Sequence, residues 1–308
     1  MKKFFCTFSL LLFLVSLSLS LAAGEKQTHI LAWEATRKDL PGHLTLAGSV
    51  HLGKKDFYPL DSAYDPFWEK AHVLVLEVTD SDPKMIAPFL RQYAFYGRNR
   101  GDLALTCGPF LYQRLLFFCR SYYPPHLFRE EEFRKKRPWF LTLELSQHRL
   151  SRLHYKLEYG VEHTFRRKAG KRELRGLEKT LFQLSTLEKI PEKEYINALE
   201  KLLNDPNKEL AELEEMIRGW KTGSLAPLEK LVLRQKQESP ILHKKLLLER
   251  NRDMAEKLAS FAKEKKRFFV LIGSAHFAGN DSILVHLRKK GFTVKQIPSA
   301  GKKGKIAP

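Results

Sequence analysis

The sequence predicts an α/β fold: a central mixed, largely parallel sheet built from two similar halves, with a mostly helical segment between them. Three observations lead there. A strand-like run followed by Gly-Ser-x-His occurs twice, as Leu44–Ala47 into Gly48-Ser49-Val50-His51 and as Phe268–Ile272 into Gly273-Ser274-Ala275-His276. Val73–Val78 (VLVLEV) is a continuous apolar run holding one acid, which suits a strand covered on both faces, as in a parallel sheet. Residues 101–240 carry apolar positions at helical spacing instead.

The elements follow in order. In residues 28–100, the first α/β half, Ile30–Ala35 and Leu44–Gly48 read as strands. Asp65 reads as an N-cap with Pro66 at the first helical position, opening a short helix through Glu69-Lys70-Ala71. Val73–Val78 is the next strand. In the helical insertion, residues 101–240, one apolar face is formed by Leu177, Leu181, Leu184 and Leu187. A second is formed by Tyr195, Ile196, Leu199, Leu202 and Leu203, and a third by Leu210, Leu213, Ile217 and Trp220. Breaks fall at Pro191, Asp205-Pro206 and Gly223. In residues 241–298, the second half, a helix with Leu247, Met254, Leu258 and Phe261 on one side leads to strand 268–273. Ser282–Lys290 is a further helix stopped by Gly291, and Phe292–Ile297 is a last strand. These parts make one domain over 25–298.

The chain has 308 residues, 43% of them hydrophobic, enough for a sizeable core. Lys2 and Lys3, the apolar stretch Phe4–Leu21 and the small residues Ala22-Ala23-Gly24 form a signal-peptide pattern over 1–24, so an exported, periplasmic or extracellular protein is expected. Cys6 leaves with that leader. A straight helix would hold the Cα atoms of the remaining Cys107 and Cys119 about 18 Å apart, so a disulfide requires a bend between them. The net charge of +19 suits an anionic membrane, a polysaccharide surface or acidic peptides. No nucleic-acid motif is present, and export argues against that partner. The lysine-rich tail, 299–308, reads as disordered.

In open α/β sheets ligands bind beyond the C-terminal ends of the strands. His51 and His276 each follow such an end by a few residues, and Gly48 and Gly273 let the backbone turn and approach closely there. If the two strands are neighbours, both imidazoles converge on one cleft. Glu77, at the end of a third strand, is positioned to join them. Two histidines and a carboxylate are a ligand set for zinc and other divalent ions, and a carboxylate in apolar company needs a partner or a metal. Glu178 reads as the opening of an amphipathic helix. Arg250 is a candidate partner for Glu178 or Glu77, and Asn251 a candidate for orienting an imidazole.

The ordered set of these segments resembles the TraB/PrgY/GumN family, which includes the Tiki proteases. The resemblance runs through His43-Leu44-Thr45-Leu46-Ala47-Gly48-Ser49-Val50-His51, Phe57-Tyr58-Pro59-Leu60 and Ala71–Glu77. It continues in Gly160–Phe165, Gly176-Leu177-Glu178 with Gln183-Leu184, and Arg218–Gly223, and ends in Glu249–Ala255 and Gly273–His276. It implies a metal-dependent protease in which His51, Glu77 and His276 hold the ion. By the same likeness Glu178 matches the family's Leu-Glu acid and Arg250-Asn251 its Arg-Asn pair. Gly160-Val161-Glu162 departs from the usual Gly-x-Asp by one methylene. The implied architecture is that of the erythromycin-esterase and ChaN group, which also admits a metal-free His/Glu hydrolase or a haem-binding protein.

The reading that follows is an exported metal-dependent hydrolase acting on a peptide or protein, with manganese, cobalt or zinc on His51, His276 and Glu77. Glu178 or Glu162 would ligate or act as base, and Arg250 would orient a carboxylate or steady an oxyanion. The competing reading is a non-catalytic protein that sequesters a peptide or serves polysaccharide export.

Overall fold

The structure is a computed structural model that describes residues 28–80, 82–97, 101–122 and 128–308. The expected leader lies outside the described residues. The six strands are β1 (His29–Thr36), β2 (His43–Ser49), β3 (Val73–Val78), β4 (Glu173–Glu178), β5 (Arg267–Gly273) and β6 (Thr293–Pro298). They form one sheet in the order β4-β3-β5-β2-β1-β6. β4, β3, β5 and β2 are mutually parallel, and β1 runs antiparallel to both β2 and β6. The sheet is therefore mixed and largely parallel. The apolar runs lie where both faces are covered: β3 is buried from Val73 to Glu77, and β5 from Phe268 to Gly273.

The two halves are interleaved. β5 pairs with β2 on one side and β3 on the other, so the strand of the second Gly-Ser-x-His frame lies between two strands of the first half. The register sets Gly48 beside Ile272 and Ser49 beside Gly273, which offsets the two frames by one residue. The Ser274 hydroxyl donates to the Ser49 carbonyl at 2.8 Å and ties the two strand exits together.

Helices cover the sheet. α1 (Asp65–Glu69) and α2 (Pro83–Tyr93) flank β3, then α3 (Leu103–Cys107), α4 (Pro109–Tyr122), α5 (Glu130–Arg134), α6 (Pro138–Arg152) and α7 (Val161–Arg167) precede β4. α8 (Thr180–Glu188), α9 (Glu192–Asn204), α10 (Lys208–Thr222), α11 (Ala226–Glu238), α12 (Pro240–His243) and α13 (Glu249–Phe261) lead to β5, and α14 (Ile283–Lys289) to β6. Pro191 and Asp205 bound α9, and Gly223 ends α10 in the left-handed conformation, φ 70°. Alongside the main core around the sheet, a second cluster packs Leu103, Leu115, Cys119, Phe133, Leu145 and Leu199 from α3, α4, α5, α6 and α9.

Three expectations are corrected, and the open question of a disulfide is answered. Glu178 ends strand β4 and does not open a helix; α8 begins only at Thr180. Asp65 lies inside α1, where its carboxylate accepts the Lys305 amide, while Asp61 caps the preceding turn through the Ala63 amide at 2.8 Å. Residues 299–308 are not disordered: Ile306 is buried, and Leu60 and Ser62 donate backbone hydrogen bonds to Ile306 and Lys302. Gly108, φ 80°, does bend the chain between α3 and α4, yet Cys107 and Cys119 are both free thiols.

Candidate metal centre

Three neighbouring parallel strands, β2, β5 and β3, end at the same edge of the sheet, and their exits supply His51, His276 and Glu77. Glu77 is 1% exposed and fixed at both oxygens. Its Oε1 accepts the Gly273 amide at 2.6 Å, and its Oε2 accepts Arg250 Nη2 at 2.7 Å and Gln183 Nε2 at 3.3 Å. The same Oε1 lies 3.9 Å from His51 Nε2 and 4.0 Å from His276 Nε2.

The other ring nitrogen of each histidine decides what these distances mean. His51 Nδ1 lies 2.8 Å from Glu162 Oε2, and the only proton available to that contact is the one on the imidazole. His276 Nδ1 lies 2.5 Å from Asn251 Oδ1, and the Asn251 amide nitrogen donates to the Asp281 carbonyl at 2.7 Å, which fixes the Asn251 oxygen toward the ring. In its neutral form each imidazole therefore carries its proton on Nδ1 and turns a bare Nε2 toward Glu77. Among the described residues His276 Nε2 is buried without a hydrogen-bond partner. Two lone pairs and a carboxylate oxygen face one another with no proton between them, an arrangement that a cation stabilises.

The charges around the site agree. Burial, reinforced by Arg250, pushes the His276 pKa down to about 3 against the pull of Glu77, so this imidazole is neutral at neutral pH. Burial also works against the Glu77 carboxylate, but His276, Arg250, His51 and the Gly273 amide together hold it down at about 2. At His51 burial opposes the charged ring, yet Glu162, by charge and by hydrogen bond, with Glu77 behind it, raises its pKa. Glu77, Glu178 and Glu162 against the single cation Arg250 leave a formal surplus of negative charge for a metal ion to balance.

The outer ring of contacts is built from adjacent helix residues. A π-helical turn, Lys244–Leu248, runs straight into α13 and precedes Arg250 and Asn251. Side chains one residue apart on a helix point about 100° apart. Arg250 thus reaches Glu178 at 2.8 Å and Glu77, while Asn251 reaches His276. Glu162 sits in the first turn of α7 and also accepts the Ser49 hydroxyl at 2.9 Å.

All nine expected positions lie in or against this cluster, with altered roles. Glu178 is the anchor of Arg250, not a residue facing the two bare nitrogens. Among the described residues, His51, Glu77 and Glu162 form the group of three whose ligand atoms all lie within 4.8 Å of one another; His276 stands just outside it. Gly48 and Gly273 are both needed for space. A Cβ on Gly48 would lie 2.5 Å from Leu31 Cδ2, and one on Gly273 would lie 3.0 Å from Glu77 Oε1 and 3.3 Å from His51 Nε2. Two contributors were not assigned to the site from the sequence. Gln183 donates to both Glu178 and Glu77, and its signal was an amide on an otherwise buried helix face. Ser49, read only as a small residue, holds Glu162.

The sequence model of the TraB/PrgY/gumN family matches residues 31–296, which include every residue of this cluster. The chain belongs to the TraB/PrgY/gumN family. No curated protein and no solved structure matches it. For this family member the paired Gly-Ser-x-His frames are thus two exits of adjacent parallel strands onto one buried polar centre.

Proposed function

We propose that this TraB/PrgY/gumN-family chain is an exported metal-dependent hydrolase that cleaves peptide bonds, with manganese, cobalt or zinc held by His51, Glu77 and His276. The observation that carries the reading is the convergence of the bare Nε2 atoms of His51 and His276 on Glu77 Oε1, one of them buried and unpartnered. A bound divalent ion would supply Lewis acidity and a water acidic enough to attack at neutral pH.

The chain's own residues do the rest. Glu162 and Asn251 hold the two imidazoles in the tautomer that leaves Nε2 bare. Glu162 is the more exposed carboxylate, with its side chain at 20%, and in this reading it would be the base that takes a proton from water. Arg250 keeps Glu77 ionised and is itself engaged by Glu77, Glu178 and the Leu246 carbonyl. Its expected role at a developing oxyanion therefore gives way to fixing the ligand carboxylate.

The test is metal content by mass spectrometry of the purified protein beside the His51→Ala/His276→Ala double variant, each reconstituted with manganese, cobalt and zinc. Near-stoichiometric metal in the first and none in the second supports the reading. No metal in either sinks it and leaves the peptide-sequestering or metal-free His/Glu alternatives.

A further inference from the structure

The cleft above the centre has a composition that the basic surface does not foreshadow. It encloses about 730 Å³, counting its open mouth, and its floor is formed by Ser49–Leu52 and Gly273–His276. Its walls are Leu150 and Ser146 of α6, Tyr155, and Glu209, Leu213 and Met216 of α10. Glu209, Leu213 and Met216 recur at helical spacing and so share one face of α10. Leu150 and Tyr155 are buried, while Leu213 and Met216 are half-buried against the core and turned to the cleft.

The one charged group on these walls is already engaged. Glu209 accepts the Ser146 hydroxyl at 2.9 Å and pairs with the guanidinium of Arg149, which is 3% exposed. Among the described residues no lysine or arginine lines the cleft, although the chain carries a net charge of +19. A charged side chain seated against these walls would lose its water and meet no free counter-charge there. An apolar side chain would be desolvated against Leu150, Leu213, Met216 and Tyr155. Met216 adds a flexible wall that adapts to more than one apolar shape.

Resting on the hydrolase reading for what happens next to it, we infer that this cleft is a specificity pocket for an apolar side chain, so that the preferred substrate is a peptide with a leucine-, methionine- or phenylalanine-like residue beside the bond held at His51 and His276. Surface lysines and arginines govern approach and not this choice.

The experiment uses the purified chain and four blocked pentapeptides, Gly-Gly-Xaa-Gly-Gly with Leu, Phe, Glu or Lys at the centre. Affinity is read by calorimetry, and mass spectrometry of the same samples registers cleavage separately. The Leu peptide is expected to bind at least about tenfold more tightly than either charged one. Leu213→Asp should erase that preference while metal content stays at the wild-type level. Met216→Ala, a milder change, should shift preference toward a Phe-centred peptide. Equal or tighter binding of the Glu or Lys peptide, no binding of any of them, or an unchanged ranking in Leu213→Asp overturns the pocket. A Leu preference in a protein that takes up no metal and cuts nothing would uphold the pocket and refute the hydrolase. Metal-dependent cleavage that favours charged centres would do the reverse.

Discussion

Single residues at this centre act by fixing protons and charge. Glu162 is the plainest case. Its carboxylate sets the His51 tautomer, and a longer side chain than the expected aspartate is accommodated because Ser49 takes its second oxygen. Glu162→Gln keeps the shape but loses the charge that compels His51 Nδ1 to donate. Metal affinity at pH 8 should fall about 10- to 100-fold, the range for lost partners of metal-bound histidines, with the thermal midpoint of the metal-free protein little changed. Unaltered affinity would remove Glu162 from the centre. His276 gives a separate prediction on pH. Its folded pKa, about 3, lies below the unfolded value of 6.5, so between those values the unfolded chain binds a proton that the native state refuses. The stability it contributes is complete above 6.5 and is lost as pH falls toward 3. His51, with its pKa raised, runs the other way: its contribution is complete below 6.5 and is lost as pH climbs through the raised value. Comparing urea unfolding of the metal-free protein at pH 7 and pH 5, His276→Gln should shrink the acid-side loss by about 2 kcal/mol. An identical loss in both proteins would show that His276 is not held neutral.

At the level of strands and helices, the two motif glycines separate into different duties. Neither strand exit needs a left-handed residue; Gly273, for example, has φ −50°. Gly48 leaves room for Leu31, which is fully buried in β1, so Gly48→Ala overpacks the core and should cost about 1–3 kcal/mol in chemical denaturation. Gly273→Ala would press instead on Glu77 Oε1 and His51 Nε2, two of the atoms proposed to hold the ion. Its stability should hold while metal uptake drops at least tenfold. The opposite pattern would mean that the glycines were assigned the wrong way round. The strands that carry these motifs were legible in the sequence because β3 and β5 are continuous apolar runs and β2 a largely apolar one, and all three lie where such runs are covered on both faces. β4 was not legible. It is an edge strand, paired only with β3, and its Glu173 and Arg175 reach across to Lys266 and Glu264 instead of entering a core. With Leu177 continuing the spacing of Leu181, Leu184 and Leu187, Glu178 mimicked a helix start. The pairing of Glu162 with His51 was also beyond reach, since α7 meets β2 only through long-range contacts such as the Val161 amide on the Val50 carbonyl. The ordered tail escaped for a similar reason: its apolar anchor, Ile306, follows Lys305, whose partners, Asp65 and Glu69, lie in α1.

Over the whole molecule, the centre is where distant parts of the chain are joined. His51 and Glu77 come from the first half of the sheet, Glu162 and Glu178 from the middle of the chain, and Arg250, Asn251 and His276 from the last part. A ligand bound here contacts only the native arrangement, because the unfolded chain does not bring these residues together. Binding must then raise the stability of the entire sheet by mass action. At a free metal concentration one hundredfold above Kd the gain is about 2.7 kcal/mol, which for a chain of this size corresponds to roughly 4–5 °C in the thermal midpoint. The midpoint of the purified protein should rise by that amount with added manganese, cobalt or zinc and return on chelation. The His51→Ala/His276→Ala variant should show no such rise. A shift of the same size in that variant would mean that the ion binds elsewhere, for instance at surface carboxylates, and that the convergence of the three strand exits serves folding without a metal.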